Sequence, residues 1–421
     1  MRRLRFFLFT CALGASLLPF PAAAQSSLNI LYSFPAQVQS GTTPLGVIAV
    51  NGVLYGATGY GGPDEAGTVF ELRPPASPGG TWTEQDLYSF TGQNGDGAEP
   101  AAGPVAGPNG VLYGTTWWGG NCPEGDCFGT VYELQPPTAL GGPWTEQVIY
   151  AFDGANGDGT NPYGGVVVGP DGTLYGTAQY GGAFGYGAVF QLKPPAAPGG
   201  SWTETLLYNF TGTGGDGANP DSITRSGKGV LYGTTLDQFA GNAGTVFELK
   251  PPADPSGSWT ETVLHSFSGG SDGCYPLFAP IIGPDGELYG TTHGTIIIVI
   301  YPGVSGDGTV FKLTPPSTAG GALVKTELYN FGKQSGPDSP LIVYGNTIYG
   351  TAGNIYGGAG EIFKLQESAG TWTKKVLHAF SGSAADVPYG TLVTSWNGSL
   401  YATTGVFSVA GVGGTVYEFV P

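Results

Sequence analysis

Leu54-Tyr55-Gly56-Ala57-Thr58, followed closely by Gly67-Thr68-Val69-Phe70-Glu71-Leu72, is the stretch on which the fold turns. Both pieces are short, rich in β-branched and aromatic residues, and bounded by glycine, which is how strands read. The first returns at Leu112, Leu174, Leu231, Leu288, Ile348 and Leu400; the second returns at Gly129, Gly187, Gly244, Gly308, Gly360 and Gly414. Each therefore occurs seven times, at a period near 60 residues. A third marker runs from Trp82-Thr83-Glu84 into Leu87-Tyr88-Ser89-Phe90, and its end returns at Phe152, Phe210, Phe267, Phe331 and Phe380. Only six copies follow the other two markers. The seventh stands alone near the other terminus, as Leu31-Tyr32-Ser33-Phe34.

Each unit thus holds four strand-like runs. Run a is an apolar stretch after a proline, such as Gly165-Val166-Val167-Val168. A turn such as Pro170-Asp171-Gly172 leads to run b (Leu-Tyr-Gly-Thr), and Asp-Gly there is a strong hairpin signal. Run c is Thr-Val-Phe-Glu-Leu, and run d is Trp-Thr-Glu through Tyr-Ser-Phe. Four short antiparallel strands per repeat predict an all-β, seven-bladed β-propeller. The last unit has runs a, b and c only, so the strand at 28–34 is expected to complete its blade and close the ring, burying Ile30, Leu31 and Phe34. A linear β-solenoid is the competing fold, but it needs capping repeats and has no use for a split unit.

The order Gly-Thr-Val-Phe-Glu-Leu, Leu-Tyr-Ser-Phe, Asp-Gly-x-x-Pro, Leu-Tyr-Gly-Thr-Thr resembles the GloVer-type tandem repeat of bacterial exported proteins, the choice-of-anchor group, over residues 28–421. The resemblance implies export and a repeated β fold, and no catalytic residues. Members of that group often end in a sorting or anchoring signal, which Tyr417-Glu418-Phe419-Val420-Pro421 does not resemble.

The first 24 residues read as a signal peptide. Arg2, Arg3 and Arg5 precede an apolar stretch from Phe6 to Phe20, and Ala22-Ala23-Ala24 offers a cleavage site before Gln25. Residues 25–421 then form one domain with no membrane span, predicted to be exported to the periplasm, cell surface or medium as a monomer. The net charge is −17 with only 11% charged residues, which argues against nucleic acid and anionic lipid as partners. Glycine (76) and proline (34) are abundant, but aromatics at 13% argue against disorder.

In a propeller the b-to-c and d-to-a connections share one face. The b-to-c loops vary most and are rich in aromatics: Tyr60, Trp117, Trp118, Tyr180, Phe184, Tyr186, Phe239, Tyr301 and Tyr356. Rings with few charges nearby suit sugar or peptide side chains, so these residues are the candidate binding surface for a glycan or protein ligand. The competing reading is that they pack the loops down. Asp96, Asp158, Asp216 and Asp272 recur in the d-to-a loops, with Asp338 and Asp386 assigned to the corresponding places. Calcium is one reading, but each loop offers too few oxygens, and aspartate as a turn-former is preferred. No cofactor and no metal is expected. Cys122 and Cys127 bracket a short loop and suggest a disulfide, a zinc pair lacking two further ligands; Cys274 is left over as a thiol on the rim.

Catalytic spacing is absent. His265 and His378 take the tyrosine place of run d, which leaves His293, just after Leu288-Tyr289-Gly290-Thr291-Thr292. Arg225 replaces an aliphatic residue of run a, facing the axis, Asp221 or water. The sequence therefore predicts a non-catalytic binding or envelope-structural protein. The alternative is a polysaccharide-acting propeller enzyme, hydrolase or lyase, with carboxylates at the channel mouth.

Overall fold

The computed structural model describes residues 26–421 except 36–40, 78, 123–126, 140, 198, 238–242, 255, 295–304, 316–322, 334, 354–359, 382–386, 396–397 and 406–412. The leader at 1–24 lies outside the described residues. What is described is all-β apart from one short turn of 3-10 helix at Pro108–Gly110.

In units 2 to 6, runs a to d form one antiparallel sheet in chain order. In unit 3, Val166–Val168 pairs with Leu174–Ala178, which pairs with Ala188–Lys193, which pairs with Thr203–Asn209. Unit 4 repeats this with Pro220–Arg225, Leu231–Thr235, Thr245–Lys250 and Thr260–Ser266. The residues of run b explain themselves in this setting. A side chain at Gly56 would collide with the ring of Phe70 on the paired strand, so the glycine of Leu-Tyr-Gly makes room for the aromatic of run c. That aromatic is buried in every unit: Phe70, Tyr132, Phe190, Phe247, Phe311, Phe363 and Tyr417 are all 0% exposed.

The same rings join neighbouring units. Phe90 at the end of one run d meets Tyr132 in the next unit at 5.1 Å between centroids, and Phe152 meets Phe190 at 5.3 Å. Edge-to-face contacts of this kind add to the area they bury. Of seven hydrophobic clusters, six each draw on two consecutive units and one joins the last unit to the first.

The two ends of the chain meet. Ser27–Ser33 pairs antiparallel with Thr415–Val420, Pro388–Thr394 pairs parallel with Thr42–Val50 through Gly46 and Thr391, and Phe34 sits 5.0 Å from Phe70. One eight-stranded sheet results, running from Ser27–Ser33 through the last three strands to the first four strands of unit 1. One expectation here is corrected. Phe34 is buried, but Ile30 is 59% exposed. Leu28 and Leu31, not Ile30, pack against the core clusters, and a β-bulge follows Ile30.

Candidate functional site

The end of run b in one unit lies against the start of run a in the next. Asn161 and Asn219, each just before a proline, hold left-handed backbone at φ 57°, a conformation asparagine tolerates. Asn161 Nδ2 donates to the Trp117 carbonyl (3.1 Å), and Asn219 Nδ2 donates to the Gln179 carbonyl (3.2 Å). At unit 6 the same place is taken by Gly336, where any side chain would run into the carbonyl of His293.

This arrangement stacks the first residue after run b on the first residue after the run-a proline of the following unit. In several units those places hold small or aliphatic residues such as Gly59, Leu236 and Gly405. Between units 2 and 3 they hold Trp117 and Tyr163, with ring centroids 5.3 Å apart. Between units 5 and 6 they hold His293 and Asp338, with Nε2 and Oδ1 2.9 Å apart. Gln179 and Asp221 occupy them between units 3 and 4.

His293 is 4% exposed and Asp338 1%. Their contact falls outside hydrogen-bond geometry, and neither imidazole nitrogen nor carboxylate oxygen has another partner among the described residues. Burial pushes the Asp338 carboxyl up, and His293 partly offsets this. Asp221 Oδ1 is also buried without a partner, and burial pushes that carboxyl up to about 8. Asp237, one residue beyond the junction, is pushed up by burial to about 6. His293 beside Asp338 supplies a proton acceptor at the junction of units 5 and 6, and Asp221 a carboxyl that keeps its proton at neutral pH at the junction of units 3 and 4.

Of the aromatics singled out in the sequence, the structure gathers three. Trp117 touches Trp118 (6.3 Å) and Tyr180 (6.1 Å), and Tyr163 completes the cluster. Trp118 is 43% exposed and Phe184 59%. Tyr60 is half-buried, and Tyr186 packs into a core cluster beneath Gly212. Phe239, Tyr301 and Tyr356 lie outside the described residues, as does Asp386.

Other expectations change. Asp338 is not a counterpart of the d-to-a aspartates; it follows Pro337 on the inner strand, in the place of Asp221. Asp96, Asp158, Asp216 and Asp272 each accept a backbone N–H from the residue after run d and contact the ring of run d, as Asp216 does with Thr211 N (2.6 Å) and Tyr208 Oη (2.6 Å). Arg225 turns away from the junction and lies over Tyr175, 5.6 Å from the ring centroid. Cys122 and Cys127 form a disulfide. Cys274 is fully buried rather than on the rim, and burial pushes its thiol up to about 12. Tyr163, Asp221, Gln179 and Asp237 were missed as site residues. The signal was present: two columns of the repeat that are small or aliphatic in many units carry polar or aromatic residues at Trp117, Tyr163, Gln179, Asp221, His293, Asp338 and Tyr389.

Fold and junction together define an all-β, propeller-like repeat protein. The chain belongs to the Gloeobacter/Verrucomicrobia repeat family, whose pattern matches residues 20–247 and 197–417. No curated protein matches it in sequence. Among solved structures it is similar to a polysaccharide lyase, a PL25 ulvan lyase bound to a unit of glucuronic acid and 3-sulfated rhamnose, at 11% identity over 92% of this chain and 94% of that one, with a TM-score of 0.54. It is also similar to a puromycin-hydrolysing peptidase of Mycobacterium tuberculosis, at 12% identity over 89% of this chain and 51% of that one (TM-score 0.50). The β-propeller domain of Cps50 (Swd1) from Myceliophteria thermophila matches at 10% identity over 93% of this chain and 99% of that one (TM-score 0.48). At these identities the likeness is one of fold. It nevertheless overturns the expectation that the chain is not an enzyme. That expectation rested on missing catalytic spacing along the sequence, and the lyase shares this fold over nearly its whole length.

Proposed function

We propose that the seven sequence units are the blades of one closed ring and that the ring is a polysaccharide-acting enzyme, with its chemistry at the junctions of units 2 to 6. The pairing of Ser27–Ser33 with Thr415–Val420 and the Phe34–Phe70 contact support closure. The observation that carries the activity is the buried His293–Asp338 pair, 2.9 Å apart and otherwise unpartnered among the described residues. Burying such groups without hydrogen bonds costs stability, which is the mark of a site kept for use.

Elimination from a uronate-containing polysaccharide fits this set better than hydrolysis. Elimination takes the C5 proton beside the carboxylate, forms the C4=C5 double bond and breaks the C4–O4 bond; it needs a base, which can hand its proton on to the leaving oxygen, and a neutral hydrogen-bond donor for the carboxylate itself. His293 suits the first role and the protonated Asp221 the second. Hydrolysis would ask for two carboxyl groups flanking the bond. Trp117, Trp118, Tyr163 and Tyr180 supply ring faces for a neighbouring sugar. The leader read at residues 1–24 suits an enzyme that meets its polymer outside the cell.

The test is a panel of uronate polysaccharides, ulvan, alginate and pectate among them, followed by ultraviolet absorbance of the unsaturated product. His293→Ala and Asp338→Asn are expected to lower the rate by about a hundredfold or more while leaving the melting curve in place. New reducing ends without the absorbance would replace elimination by hydrolysis. Full activity in both variants would remove the site.

A further inference from the structure

The face opposite the b-to-c loops carries two pockets that the proposed chemistry does not use. One, of about 430 Å³, lies between units 1 and 2 and is lined by Tyr55, Arg73, Asn109, Trp144 and Asn51. The other, of about 380 Å³, lies between units 7 and 1 and is lined by Tyr401, Thr394, Ser395 and the same Asn51. Asn51 sits at the tip of the a-to-b turn with left-handed backbone at φ 52°, so its amide stands between the two.

The first pocket is built on a recurring contact, and the second takes in its tyrosine, Tyr401. The tyrosine of run b meets a tryptophan of the next run d edge to face: Tyr55 with Trp144 at 5.9 Å and Tyr401 with Trp82 at 6.4 Å. Tyr113 with Trp202 (5.9 Å) and Tyr175 with Trp259 (6.2 Å) repeat it at two further seams. The tryptophans are half-buried, so part of each ring reaches solvent.

The polar groups around these rings are amides and hydroxyls. Arg73 is the charged group in the first pocket, and its guanidinium is committed to the buried Glu71, with Nε donating at 2.5 Å and Nη2 at 3.0 Å. Among the described residues, no charged residue lines the second. Exposed ring edges, asparagine amides and hydroxyls without free charge match a neutral pyranose, which presents apolar C–H faces and hydroxyls together. Two such pockets sharing one asparagine match adjacent stretches of a polymer, and occupying both multiplies the affinity of either.

We propose that this face is a second carbohydrate-binding surface, specific for neutral hexopyranose units of a polysaccharide and separate from the His293 site. It gains meaning from the proposed enzyme, as an anchor on the same material, but stands on its own residues.

Affinity electrophoresis of the full chain in gels containing laminarin, xylan or galactan, with alginate as the charged comparison, tests it. Retardation by at least one neutral polysaccharide is expected. Asn51→Gly keeps the left-handed turn and removes the amide shared by both pockets, and Trp144→Phe keeps a ring but trims it. Each is expected to weaken retardation about fivefold, the worth of one hydrogen bond or one good ring contact. Thermal melting of each variant establishes that it is folded. His293→Ala is expected to bind as the parent does, so loss of catalysis and loss of this surface separate cleanly. No retardation by any neutral polysaccharide, retardation by alginate alone, or unchanged retardation in both folded variants would overturn the proposal.

Discussion

One position of run d, opposite the leucine or phenylalanine of run c, is filled in two opposite ways around the molecule. Units 1 to 4 place Glu84, Glu146, Glu204 and Glu261 there; units 5 and 6 place Lys325 and Lys374. Each side chain reaches toward the preceding unit. Glu146 lies by Tyr88 and Asp96, Glu204 by Asp158 and Tyr150, and Glu261 by Asp216 and Tyr208. Burial, and then the facing aspartate, push each of these three glutamates up to about 7. Lys325 instead donates to Asp272 Oδ1 (2.6 Å) and lies over Phe267 and Phe311, and the facing Asp272 is held below the usual range as Lys325 and its other donors outweigh its burial. The fold tolerates a pair of carboxyls or an ion pair at one address. What differs is the pH at which each seam is strongest.

The largest effect is expected where a seam is removed altogether. Deleting residues 27–34 takes away Leu28, the apolar occupant of this position at the chain closure, together with Leu31 and Phe34. About 5 kcal/mol of burial goes with them, comparable to the stability of a whole domain. A single loss of folded signal by circular dichroism is expected. A truncated chain that melts like the parent would mean that the seams are independent and the closure dispensable.

Lys325→Glu converts an ion-pair seam to a carboxyl seam. It leaves Asp272 facing another carboxyl and is expected to cost about 3 kcal/mol at pH 8, because one partner of a largely buried pair is lost. The deficit is expected to shrink on acidification, as the new carboxyl takes up a proton. A deficit independent of pH would show that packing over Phe267 and Phe311 matters more than charge.

The smallest effect comes from the glutamate seams themselves. Their folded values lie above the unfolded value of 4.5, so the folded state favours the protonated form. Their contribution is complete below pH 4.5 and is lost as pH rises through about 7. Replacing Glu146, Glu204 and Glu261 by Gln is expected to raise stability at pH 8 by about 1 kcal/mol per site, a figure already reduced for screening at these partly exposed groups. Denaturant midpoints at pH 4 and pH 8 would measure it. Equal gains at both values would locate the effect outside protonation.

Much of the fold was legible because the repeat is counted, not weighed. Gly56 and Phe70 recur as a pair because each needs the other, and the stray Leu31-Tyr32-Ser33-Phe34 announced where the first strand belongs. The exposure of Ile30 was not legible, since it depends on what the neighbouring strands leave uncovered and not on the residue's own hydrophobicity. The site was less legible still. Trp117, Trp118 and Tyr180 were chosen for their chemistry and do cluster, but Tyr163 and Asp221 lie just past prolines in a column that reads as framework. Asp338 was read as a turn-former because its spacing resembles one.

By itself, the sequence determined the repeat, its four strand-like runs and the split last unit, because these depend on local periodicity and on which residues can sit in a strand. Only the tertiary structure decided which residue of one unit faces which of the next. His293 and Asp338 are 45 residues apart and belong to different units, and they meet because every unit presses the end of its run b against the start of its neighbour's run a.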